Sequence, residues 1–133
     1  MREIKFRFWS KGTSQNVNFK RKRYWTLPCY LLEKYYNCDD LLNSPDFIVE
    51  QFTGLKDKNS REIYEGDIVR DMWMNKSGDG TVDFIYSVVY IDNGFYTLKK
   101  GEIENGTYLI DKNDVQKYYV VIGNIHENPE LLK

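Results

Sequence analysis

Few residues in the 133-residue chain could act together as nucleophile, acid–base pair or metal cage. Its two cysteines, Cys29 and Cys38, have eight residues between them, and His126 is its one histidine. A cysteine nucleophile would need His126 as its base, and nothing in the spacing brings them together. A cysteine within an apolar segment usually serves as a small buried hydrophobe. His126, beside Glu127 near the C-terminus, reads as a surface or packing residue. Two cysteines and one distant histidine also fall short of a zinc site. Without a secretory signal, reduced thiols are expected rather than a disulfide.

The carboxylates Glu62, Glu65, Asp67 and Asp71 offer a second route, metal-dependent hydrolase or nuclease chemistry. Such chemistry needs two or more carboxylates converging on one point. In a strand over 67–71, Asp67 and Asp71 share a face, with Glu65 just before it. The competing reading is a turn followed by solvated strand edges, a common place for carboxylates. The loop beginning at Asp57 resembles a calcium loop only in its opening. Its sixth position is Glu62 instead of glycine, and its twelfth is Ile68 instead of glutamate. Gly78-Asp79-Gly80 lacks the third glycine of a dinucleotide loop, and no phosphate-loop lysine pattern occurs. The expectation is a protein that is not an enzyme, with no catalytic, cofactor-binding or metal-ligating residue.

One feature rises above this background. Lys20, Arg21, Lys22 and Arg23 are followed by Tyr24 and Trp25. Adjacent cations create a strong local field, and an aromatic beside them can stack on a base. Lys20, Arg21, Lys22, Arg23 and Trp25 are therefore the candidate surface for nucleic acid or for a partner, with Lys5 and Arg7 extending it from the outward face of the first strand. The overall charge is −1, but residues 1–25 carry +7 and the remainder −8. Such asymmetry allows the basic segment to neutralise the acidic part of the same or a neighbouring subunit. Aromatic residues make up 16% of the chain, and they are favoured at interfaces because they bury much area at little entropic cost. A homo-oligomer is the expected partner state.

The elements that would position these residues are mostly strands. The chain has no alanine, the best helix former, while Val, Ile, Thr, Tyr, Phe and Trp supply 46 residues. Glu3–Trp9 alternates as a half-buried strand with Ile4, Phe6 and Phe8 on one face. Val17–Phe19 is read as the start of another. Thr26-Leu27-Pro28 opens a short helix near 28–36. Asn43-Ser44-Pro45-Asp46 marks the boundary. Beyond it come a strand over Phe47–Phe52, a charged loop over Leu55–Arg61 and a turn and strand through Glu62–Arg70. In Thr81–Ile91 the even positions Val82, Phe84, Tyr86, Val88 and Tyr90 form one apolar face. Asp92-Asn93-Gly94 signals a tight hairpin into Phe95–Leu98. A second hairpin is expected between Glu102–Glu104 and Thr107–Ile110. Tyr118–Ile122 is the last strand, and Asn128 caps a final helical turn ending at Leu131-Leu132. In a strand, one of Tyr118 and Tyr119 must face outward.

The predicted fold is mainly β. Residues 1–46 form a basic segment with a strand and a short helix, and residues 47–133 form a small SH3-like barrel or strongly bent antiparallel sheet. No apolar run approaches the ~20 residues of a membrane span, and the opening lacks a signal-peptide core. The expected compartment is the cytoplasm, with no membrane partner.

Three stretches carry a family resemblance. They are Met1–Trp9, the segment Gln51-Phe52-Thr53-Gly54-Leu55-Lys56-Asp57-Lys58-Asn59 running on through Glu62–Val69, and Ile122-Gly123-Asn124-Ile125-His126-Glu127-Asn128-Pro129-Glu130-Leu131-Leu132. In order and spacing the chain resembles the YopX-like family of bacteriophage and prophage proteins. It departs at Phe52 and His126, where the family pattern has tyrosine, and at Ser60, where it has glycine. The last change falls in the turn between Asn59 and Arg61. The resemblance implies an SH3-type C-terminal part and a phage gene product made inside a bacterium, with no established molecular function. The reading that follows is a non-enzymatic, self-associating protein-interaction module. Its alternatives are a nucleic-acid-binding module using segment 20–25 and a metal-dependent hydrolase or nuclease.

Overall fold

A computed structural model describes residues 5–13, 23–25, 43–72, 84–91, 94–99, 107–109 and 112–133. The short helix expected near 28–36, the strand start at 17–19 and both cysteines lie outside these residues. The chain divides into two compact units, Met1–Phe52 and Thr53–Lys133.

In the first unit, β1 (Phe6–Ser10) lies between β2 (Arg23–Trp25) and β3, which spans Phe47–Lys56. Both pairings are antiparallel, with Trp9 opposite Tyr24 on one side and Ile48 on the other. The expected half-buried strand is corrected here. Arg7 and Trp9 are as buried as Phe8 and Ser10, because polar and aromatic partners across the sheet receive them. The Asn43–Asp46 boundary is a turn. Its end is tied back by Lys11 N–H donating to the Asp46 carbonyl at 2.9 Å and by the Thr13 hydroxyl donating to the Asp46 carboxylate.

In the second unit the end of β3 neighbours β4 (Glu62–Tyr64). A five-stranded antiparallel sheet follows the order β8-β7-β6-β5-β9. Its members are β5 (Asp67–Asp71), β6 (Phe84–Ile91), β7 (Gly94–Lys99), β8 (Thr107–Leu109) and β9 (Tyr119–Asn124). The tight hairpin expected around Asp92-Asn93-Gly94 is present, with Ile91 paired to Gly94, which begins β7. β8 pairs with β7, while residues 102–104, its expected partner, lie outside the described part.

Two expectations from sequence are corrected in this unit. An α-helix, α1 (Lys112–Tyr118), precedes the last strand and takes in Tyr118, which was expected to begin that strand. Val115 explains it: fully buried, it joins Ile63, Val69, Tyr86, Val88 and Val121 in the core and pins the helix there. Such tertiary burial overrides weak local propensity. The second correction concerns closure. Among the described residues no closed barrel forms, since β8 and β9 are the sheet's two edges. The outer side of β9 meets a turn instead: Lys58 N–H donates to the Tyr119 carbonyl, and Val121 N–H donates to the Asp57 carboxylate, both at 2.9 Å. An edge covered in this way is protected without needing another strand.

That turn also explains a departure from the family pattern. Ser60 has φ 65°, in the left-handed region that costs a side-chain-bearing residue roughly 1–2 kcal/mol. Ser60→Gly is expected to raise stability by roughly 0.5–1 kcal/mol once the greater chain entropy of glycine is deducted. A higher urea midpoint with an unchanged slope would show it. A lower midpoint would mean that the serine rests in this turn without strain.

Candidate functional site

The residues that carry the family resemblance converge on backbone. Asp57 is 4% exposed. Its Oδ1 accepts from the N–H groups of Asn59 (2.8 Å) and Arg61 (2.9 Å), and its Oδ2 accepts from Val121, 64 residues away. One carboxylate thus closes its own turn and fastens it to β9. The Asp57 N–H donates to the Arg61 carbonyl and Ser60 N–H to the Asp57 carbonyl, completing the turn.

The next turn is built in the same way. Gly66 has φ 84°, a value open to glycine and unfavourable to other residues. Its N–H donates to Val88 and its carbonyl accepts from Ile125, so it bridges β6 and the chain beyond β9. Asp67, 1% exposed, accepts the Tyr64 N–H on Oδ2 at 2.8 Å.

Asn124 closes the C-terminal motif. Its Oδ1 accepts from the N–H groups of His126 (3.0 Å) and Glu127 (2.8 Å). Asn128 holds the expected N-cap position of the final turn, but its side chain makes no capping hydrogen bond there and instead accepts the Asn124 N–H at 3.3 Å. The final turn itself is present as a 3₁₀ helix, Pro129–Leu132. Gly123 is required beneath Asn128, since a Cβ there would lie 2.5–2.9 Å from that side chain.

No three of the candidate carboxylates Glu62, Glu65, Asp67 and Asp71 gather at one point. Asp67 is turned to backbone, and Glu62 accepts the Tyr64 hydroxyl at 3.1 Å. Among the described residues, no group of three or more His, Cys, Asp or Glu could hold a metal. His126 is fixed through its backbone, while its suggested thiol partners are outside the described part.

The basic segment is only partly placed. Lys20, Arg21 and Lys22 lie outside the described residues. Arg23 and Trp25 occupy β2, opposite Ser10 and Phe8. Between them, Tyr24 meets Trp9 edge-on at 5.0 Å between ring centroids. Arg7 was expected to extend the exposed patch, and it does not. Its Nε donates to Glu50 Oε2 at 2.7 Å, with both side chains buried. Its Nη2 donates to the Tyr24 hydroxyl at 3.1 Å, and its guanidinium lies 3.9 Å from the centre of that ring. Lys5 is likewise engaged, over the Phe52 ring at 5.5 Å. Sequence reading missed Glu50, whose position directly across from Arg7 depends on strand register.

Among the described residues no helix is long and apolar enough to cross a membrane.

Comparison with known proteins agrees with the residue-level likeness. No curated protein matches the chain. The crystal structure of protein EF1440 from Enterococcus faecalis is similar, with a TM-score of 0.60 and 24% identity, covering 100% of both chains. That likeness is one of fold. The family model of the YopX protein matches residues 5–133, the span that holds the Asp57, Gly66 and Asn124 turns, and the chain belongs to the YopX protein family.

Proposed function

We propose that the protein is a non-enzymatic, self-associating interaction module of phage or prophage origin, working inside a bacterial host on a host or phage macromolecule. The observation that carries this reading is how the motif uses its polar side chains. Asp57, Asp67 and Asn124 all accept from backbone N–H groups. The most distinctive residues therefore hold the shape of a surface, which suits recognition better than bond-breaking. Self-association draws further support from the division of charge, +7 over residues 1–25 against −8 over the rest. It also draws on Tyr90, 47% exposed at the end of β6 and edge-on to Phe95, an aromatic of the kind interfaces favour.

Light scattering on the purified chain at micromolar concentration tests the proposal. A defined oligomer that loosens as salt rises is expected. A monomer at every concentration and salt would overturn self-association.

A second reading, nucleic-acid binding through Lys20–Arg23 and Trp25, rests on the anchoring of β2. Arg7 and Trp9 both hold Tyr24, so the strand that contains Arg23 and Trp25 is fixed. A variant with these four cations changed to Glu should then lose DNA or RNA binding.

A further inference from the structure

The Asp57 turn carries a second basic surface. Lys56, Lys58 and Arg61 are exposed, as are Asn59 and Ser60 between them, while Asp57 is buried beneath. The backbone of this turn is fixed at four points within itself and at two to β9. Lys117, exposed at the end of α1, lies two residues before Tyr119, whose carbonyl accepts the Lys58 N–H. The acidic neighbours along the chain have other partners: the Asp57 carboxylate accepts from backbone N–H groups, and Glu62 accepts from the Tyr64 hydroxyl.

We infer that this turn is a contact for the phosphate backbone of nucleic acid, made by Lys56, Lys58 and Arg61. Composition separates this partner from a protein. Protein interfaces centre on buried aromatics and are depleted in lysine and serine. Phosphate contacts draw on Lys, Arg, Asn, Ser and backbone N–H groups, and the exposed residues of the turn are Lys, Lys, Asn, Ser and Arg. A rigid turn loses little entropy when its cations engage. Lys56 ends β3 and Lys58 follows in the turn, with only the buried Asp57 between them, so both can reach one strand. Contacts to phosphate carry no sequence information, so binding through them is independent of sequence. It is also independent of segment 20–25, and an oligomer would present the turn more than once.

Fluorescence anisotropy with a labelled mixed-sequence duplex DNA and a labelled oligothymidine, over a salt series, tests this. Wild type is expected to bind both at low salt. The variant Lys56→Gln/Lys58→Gln/Arg61→Gln should lose about tenfold or more in affinity, and its dependence of log K on log salt should be shallower by about 2–3 on duplex. Because these side chains make none of the turn's backbone bonds, its thermal midpoint should match wild type. Should the triple variant fold poorly, Lys58→Gln alone decides, with a slope change of about 1. Absence of wild-type binding to either probe at low salt would overturn the inference. So would full binding by the turn variant alongside loss in a Lys20–Arg23→Gln variant.

Discussion

Asp57→Ala is expected to destabilise the protein by about 3–5 kcal/mol, since three backbone N–H groups lose a charged acceptor at once. A hydrogen bond to a charged group contributes roughly 1.5–3 kcal/mol, and a buried donor left unmade costs a similar amount. Water can rescue the N–H groups of exposed Asn59 and Arg61. It reaches Val121 less readily, because that residue is 6% exposed. Asp57→Asn keeps the shape but offers one carbonyl oxygen where two carboxylate oxygens stood, and its amide N–H₂ would oppose an N–H donor. The asparagine variant should therefore recover less than half of the loss. Urea unfolding measures both, and hydrogen exchange locates the damage: Val121 should lose protection before Ile68 does. A loss below about 1 kcal/mol for alanine would show that this carboxylate is not the fastening of β9.

Breaking the Arg7–Glu50 pair should produce an effect of similar size in the first unit. Glu50→Ala strands a guanidinium that is 9% exposed, and removing one partner of a buried pair costs about 3–5 kcal/mol. Tyr24 moderates this, since its hydroxyl and ring still face Arg7. Replacing both partners, Arg7→Met with Glu50→Leu, removes the unpaired charge and should return stability to within about 1 kcal/mol of wild type. A double-mutant cycle in denaturant reads the difference as coupling. Additive single losses would show that the two residues are held by separate surroundings. The pair also bears on β2. Arg7 and Trp9 grip Tyr24, so Glu50 indirectly fixes the strand that carries Arg23 and Trp25.

Much of the architecture is legible from local pattern. Alternation at Tyr86 and Val88 marks their buried face, and Asp-Asn-Gly closes the β6–β7 hairpin, because strand periodicity and turn chemistry are properties of neighbouring residues. Tyr90 continues the same alternation yet is exposed, since the pattern does not record where the core ends. Helix α1 escapes such reading for a related reason: seven residues with one buried valine present no stripe, and the pocket that holds Val115 is assembled from four strands.

The candidate site divides along the same line. Residue types and spacing were enough to mark the family motif and the basic run at 20–25. They also placed a serine in a turn where glycine belongs, and the φ of Ser60 gives the reason. What Asp57 does was decided only in three dimensions. Its third bond reaches Val121 across 64 residues, and that same bond helps cover the β9 edge that a closed barrel would have needed. The burial of Arg7 was decided there too. An alternating strand puts a lysine or arginine outward by default, and only the register that sets Glu50 opposite makes an inward arginine tolerable. Local sequence determines which backbone shapes are allowed. Partners far apart in the chain determine which charges are buried and which remain on the surface, because desolvation is offset by groups that only the tertiary fold brings together.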